Sequence, residues 1–219
     1  MLKRAISFFL IAACWGAPGM TSAQSEDGPI HVYDQMFLEL VGGVEGKSSY
    51  DQVTLRTRLQ PPYPLSKMTI QEVIDFQQKV INSGASSSAM GKYQFIQQTL
   101  IWLVESNDIS RHTVFTQATQ DYLARILMIK CGFYERHESN DDIGNCLAKA
   151  WAGLPVMTGA RKGKSYYRSN GNMSLTGPEA MNSVLSSRFS DPRRVRAAME
   201  DVQRGRLSDS GTILISINN

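Results

Sequence analysis

Between Asp142 and Leu154, apolar residues fall at Ile143, Cys146, Leu147, Ala150, Trp151 and Leu154, and Pro155 follows. Alternating steps of three and one put all six on one stripe of a helix with 3.6 residues per turn, and the proline ends it. A stripe that wide must be buried against other elements, so a chain carrying it folds around packed helices. Four more stretches keep the same period. Thr69 and Glu72 form a capping box ahead of Ile70, Val73, Ile74, Gln77, Val80 and Ile81, which predicts a helix over residues 69–82. Residues 99–106 predict a shorter one. Residues 116–130 carry Ala118, Tyr122, Leu123, Ile126, Leu127 and Ile129 as a broad apolar face suited to the core. Residues 31–46 predict the first helix, with Gly46 as its C-terminal cap.

From Tyr50 the period drops to two. Val53, Leu55, Thr57 and Leu59 alternate with Thr54, Arg56 and Arg58 as far as Pro61-Pro62, so a short β-hairpin is expected directly after the first helix. The fold class is therefore α+β and mostly α. Residues 83–88 read as a loop of small residues, and residues 159–172, with Arg161, Lys162, Lys164, Tyr166 and Tyr167, as an irregular and partly exposed segment. Ser190-Asp191-Pro192 opens a last, basic helix with Val195, Met199 and Val202 on one side and Arg193, Arg194, Arg196 and Arg204 elsewhere. His112 and His137 stand alone, without partners at ligand spacing, and read as surface residues; neither a metal nor a cofactor is expected.

The 219 residues, 42% hydrophobic and 20% charged, suffice for one well-filled core. Lys3 and Arg4 precede an apolar run from Ala5 to Cys14, and Thr21-Ser22-Ala23 offers small residues for cleavage, so residues 1–23 read as a signal peptide and residues 24–30 as a loose polar lead-in. Ile11-Ala12-Ala13-Cys14 also looks like a lipoprotein box, with Cys14 as the alternative point of attachment. A periplasmic or secreted protein is expected. Cleavage removes two of the 23 basic residues and none of the 20 acidic ones, leaving a formal charge of +1, which gives no reason to expect nucleic acid. Cys131 and Cys146 then remain to pair in an oxidising compartment, closing a loop worth about 3 kcal/mol.

Chemistry enters at the end of the first helix. Phe37, Val41 and Glu45 are four apart, with Leu40 and Val44 beside them, so the acid shares the apolar face. A carboxyl group there loses hydration, its charged form is disfavoured and its pKa rises, as a proton donor near neutral pH requires. Gly42 and Gly43 leave the preceding turn open to close approach. Further on, Ala89-Met90-Gly91-Lys92-Tyr93-Gln94-Phe95 sets an aromatic and an amide beside a glycine. A ring can stack on a sugar's apolar face, and an amide can donate to and accept from its hydroxyl and acetamido groups. Trp151 reads as core or as the floor of a cleft.

Three motifs stand in order: Val44-Glu45-Gly46 with Tyr50-Asp51, then Gly91-Lys92-Tyr93-Gln94-Phe95, then Ala150-Trp151-Ala152-Gly153-Leu154-Pro155. Over roughly residues 33–170 the chain resembles the phage lambda endolysin-type muramidases of the lysozyme-like superfamily. The resemblance implies a lysozyme-like fold in residues 31–170, with a small β-hairpin as one wall of a cleft, and a C-terminal extension over 171–219. It also implies cleavage of the β-1,4 bond between N-acetylmuramic acid and N-acetylglucosamine in peptidoglycan. Glu45 would be the general acid and base of a lytic transglycosylation that leaves a 1,6-anhydro sugar, and Tyr50, Asp51, Gly91, Tyr93, Gln94 and Trp151 would bind or shape the substrate site. Lys92 stands where those enzymes have an arginine, and residues 61–88 widen the interval between the first two motifs. A leader peptide suggests a cell's own envelope enzyme, acting as a monomer on glycan strands, with envelope or secretion-system proteins as possible partners. Two alternatives stay open: a hydrolytic lysozyme, which usually needs a second carboxylate, and a non-catalytic wall-binding scaffold.

Overall fold

The computed structural model describes residues 30–189, with side chains from Asp34 onward; the expected leader and the basic helix after Ser190 lie outside the described residues. Within them the chain is mostly helical: α1 (Ile30–Gly46), α2 (Ile70–Asn82), α3 (Gln97–Ser106), α4 (Gln117–Lys130), α5 (Asn140–Ala150) and α6 (Pro178–Ser187). None of these helices is long and apolar enough to cross a membrane.

Three of the starts have a side-chain cause. Thr69 and Glu72 cap α2 reciprocally as the sequence predicts, Thr116 accepts from the Thr119 N–H at the head of α4, and Ser139 accepts from that of Asp142 at the head of α5. Helix α5 is shorter than expected. It stops at Ala150 because Trp151 turns to extended backbone, and residues 151–155 run on as turn. Helix α1 does run to Gly46, but Lys47 and Ser48, not a glycine, take the left-handed conformation, at φ 51° and 58°. Their reversal lets the Ser48 N–H reach back to the Gly42 carbonyl at 2.8 Å and turns Tyr50 toward α4.

Helix α1 packs against α4 and α6, α5 lies against both α4 and α6, and α2 pairs with α3. Phe37 of α1 meets Trp151 and Phe133 in the middle, and a second aromatic row runs Tyr50, Tyr93, Phe95 and Phe115. Cys131 and Cys146 are bridged, tying the end of α4 to α5. The expected boundary after residue 170 is not a boundary in packing: Met181, Val184 and Leu185 of α6 are fully part of the core.

The expected hairpin over residues 50–62 is absent. Val53 makes one isolated antiparallel bridge to Met90, and Leu55 is 75% exposed, so the alternating pattern has no second strand to pair with. Antiparallel pairing occurs instead between Met90 and Phe95, on either side of the Gly91–Gln94 turn. On α4 the buried face is Gln120, Leu123, Ala124, Ile126, Leu127 and Met128, leaving Tyr122 and Ile129 exposed. His112 and His137 are exposed, as expected.

Candidate functional site

Three turns meet at the C-terminal end of α1. Gly46 is buried there, and a Cβ on it would lie 2.2 Å from the Lys92 carbonyl oxygen and 2.9 Å from that of Gly91. The 91–94 turn therefore lies directly on the helix end, an approach that only glycine permits. Trp151 joins the third turn to the second by donating its indole N–H to the Tyr93 carbonyl at 3.2 Å. Gly153 then closes the circle, its peptide N–H donating to Glu45 Oε1 at 2.5 Å.

Glu45 is the chemically distinctive group. Burial pushes its carboxyl group above the ordinary carboxylate range, while the Gly153 N–H, which favours the ionised form, partly offsets this. Oε2 has no hydrogen-bond partner among the described residues, so the group has one anchored oxygen and one open to exchange a proton. The Gly153 peptide is itself fixed from behind. Its carbonyl accepts from the Leu175 N–H at 2.9 Å and the Ser174 hydroxyl at 3.3 Å.

Behind the acid lies a polar network that the sequence does not announce. Lys92, 3% exposed, lays its side chain across Gly42, donates to Glu39 at 2.8 Å and to the Tyr50 hydroxyl at 3.3 Å, and stands over the Tyr50 and Tyr93 rings. Burial alone would lower the lysine's pKa; its contacts with Glu39 and Tyr50 outweigh that and raise it, so it stays charged. Tyr50 and Tyr93 both donate to Asp121, at 2.9 and 2.6 Å, and burial with that carboxylate holds both phenols protonated. Gln120 accepts from the Lys92 N–H and donates to the carbonyls of Tyr50 and Phe115, so α4 clamps both loops. Gly91 adopts φ 79°, and a Cβ on it would lie 2.3 Å from that glutamine.

The structure thus gathers Glu45, Tyr50, Gly91, Tyr93, Gln94 and Trp151 into one neighbourhood but changes what several of them can do. Tyr93 and Trp151, 1% and 2% exposed, present no ring face to a ligand; both hold the turns together from within. Gln94 is half-buried at φ 48°, and its amide donates to the carbonyls of Gly91 and Gln52. Tyr50 is half-buried with its hydroxyl engaged. Asp51 is exposed and accepts from the Ser66 N–H at 2.7 Å, which anchors the loop that follows. Gly153, Gln120 and Asp121 were missed as site residues. The first stood inside a noted motif, and the other two had only a polar pair beside an apolar helix face to mark them. Among the described residues no group of three or more His, Cys, Asp or Glu side chains is placed to hold a metal ion. No protein-family model, no curated protein and no solved structure matches the chain.

Proposed function

We propose that the protein is a peptidoglycan-cleaving enzyme of the lysozyme-like kind, working as a lytic transglycosylase with Glu45 as its single acid and base. The observation that carries this reading is the Glu45 carboxyl group: partly dehydrated, raised in pKa, fixed through one oxygen to the Gly153 N–H and open at the other. Protonated Oε2 donates to the bridging oxygen as the bond to the muramoyl C1 breaks. The resulting carboxylate accepts from the Gly153 N–H, which offsets part of the cost of holding that charge where burial disfavours it. It then takes the proton of the muramoyl 6-hydroxyl while that oxygen bonds to C1, giving the 1,6-anhydro ring and restoring the acid.

One carboxyl group suffices for this cycle. A hydrolase usually adds a second, as nucleophile or to activate water. The next acid in the chain, Asp51, is engaged with Ser66, and Glu39 and Asp121 are engaged with Lys92 and the two tyrosines. These pairings favour the transglycosylase over the lysozyme.

The test is mass analysis of the fragments that residues 24–219 release from purified sacculi. Anhydro ends support the proposal and reducing ends support hydrolysis. Glu45→Gln is expected to abolish release while leaving sacculus binding measurable, because the amide oxygen still accepts from Gly153 but the group no longer donates an acidic proton. Binding without release by the wild-type chain would favour a scaffold.

A further inference from the structure

From Ile143 to Pro178 the sequence has no acidic residue but five basic ones, Lys149, Arg161, Lys162, Lys164 and Arg168. All five are exposed, and none has a carboxylate partner among the described residues. The backbone beneath them is firmly held. Val156 donates its N–H to the Lys164 carbonyl at 2.9 Å, Gly163 donates to the Val156 carbonyl at 2.8 Å, and Pro155 and Ser165 form an antiparallel bridge, with Ser165 buried. Two tyrosines order the cations. The Arg161 guanidinium lies 4.8 Å from the centre of the Tyr166 ring, the Lys149 ammonium 5.8 Å from it, and the Tyr167 hydroxyl donates to the Lys149 carbonyl at 2.6 Å. Like charges with no carboxylate bonded to them among the described residues repel one another, so cations on a pinned loop and the adjoining end of α5 suit an anionic ligand.

The loop's place suggests which ligand. It begins three residues after Gly153, whose N–H holds the acid, so at most about 11 Å of chain separates Val156 from that glycine. Muramic acid carries its peptide on the same sugar whose C1 is attacked, and a four-residue peptide with free carboxylates extends up to about 14 Å. We infer that Lys149 and Arg161, which flank Tyr166, together with the exposed Lys162 and Lys164 next to Arg161 in the chain, bind the carboxylates of the peptide side chains on the glycan, so that the protein prefers peptide-bearing strands to bare ones. The inference rests on Glu45 being the glycan-cleaving acid. A guanidinium presents paired donors that match a carboxylate, and a loop already pinned loses little further freedom on binding.

The test combines Arg161→Ala, Lys162→Ala and Lys164→Ala and compares rates on intact sacculi with rates on glycan strands stripped of peptide by an amidase. The expected result is a KM about tenfold higher on peptide-bearing glycan, with kcat unchanged and no change on stripped strands, as three exposed ion pairs would give. Equal losses on both substrates, no loss on either, or a loss confined to sedimentation with vesicles of phosphatidylglycerol would overturn the inference. Lys162→Glu alone, judged by the same comparison, decides if the triple variant misfolds. If the wild-type chain cleaves neither substrate, it is the reading of Glu45 that fails. Pull-down of Glu45→Gln protein by intact and by stripped sacculi then decides the basic site by itself: weaker capture of the triple variant by intact sacculi alone supports it, and equal capture overturns it.

Discussion

Replacing Gly153 by alanine tests the proposed acid while leaving Glu45 itself in the chain. The new Cβ would stand 2.9 Å from Glu45 Oε1 and 3.2 Å from Val44 Cγ2, whereas ordinary contact begins near 3.4 Å, so the carboxylate must retreat by about 0.5 Å. The fold can accept this, because the obstructing atoms are side-chain ends and Gly153 has no left-handed backbone. Stability should change by less than about 1 kcal/mol, or about 4 °C in Tm for a domain of this size. The hydrogen bond from Gly153 lengthens, and a bond to a charged group contributes about 1.5–3 kcal/mol. If it acts on the carboxylate formed during reaction, kcat falls about 10- to 100-fold. The bond also lowers the acid's pKa, so weakening it moves the pKa up. Glu45 must be protonated to act, and the alkaline limb of kcat/KM therefore shifts to higher pH. Dye release from labelled sacculi across pH, with melting followed by circular dichroism, reads all three effects. An intact fold with wild-type rate and an unmoved alkaline limb would refute the role given to the Gly153 peptide.

Other outcomes follow from the same geometry. Because burial raises the Glu45 pKa in the folded state, its contribution favours folding below the unfolded pKa and is lost as pH rises through the folded one; Glu45→Gln should melt higher than wild type at neutral pH and lose that advantage in acid, as thermal scans at several pH values would reveal. Gly46→Ala forces a methyl group against the Lys92 backbone oxygen, which cannot swing aside as a side chain can, and should cost about 1–3 kcal/mol in urea unfolding. Lys92→Met keeps the buried stem but leaves the Tyr50 hydroxyl one partner short; a loss of about 2 kcal/mol, or roughly 4–8 °C in Tm, is expected, and unchanged melting would show that the network contributes little.

The first five helices were legible by their apolar period, and α2 also by its capping box; Thr116 and Ser139 cap α4 and α5 as well, while α3 has no side-chain cap. The acid was legible for the same reason, since Phe37 and Val41, both fully buried, fix the face on which Glu45 lies. Alternation over Val53–Leu59 misled because period-two patterning marks a strand only where a neighbour supplies the ladder, and Val53 alone finds one. Tyr93 misled differently, and of the two readings of Trp151 its burial bears out the core. An aromatic residue beside glycine suits a sugar surface and a packed core equally well, and only long-range contacts with Asp121 and the Tyr93 carbonyl decide between them. Helix α6 lacked a match in the resemblance and so read as an appendage, although its apolar residues complete the core.

Helix α6 has a consequence for when Glu45 and Gly153 can meet. Met181, Val184 and Leu185 wedge between the helix that ends in the acid and the helix that leads to Gly153, two segments 108 residues apart in the chain. A product terminated or clipped near residue 170 would keep every reactive group and lack the keystone that sets them at working distance. Glu45 and Gly153 should accordingly come into register only once residues 178–187 have been made and packed, whatever reaction the acid serves.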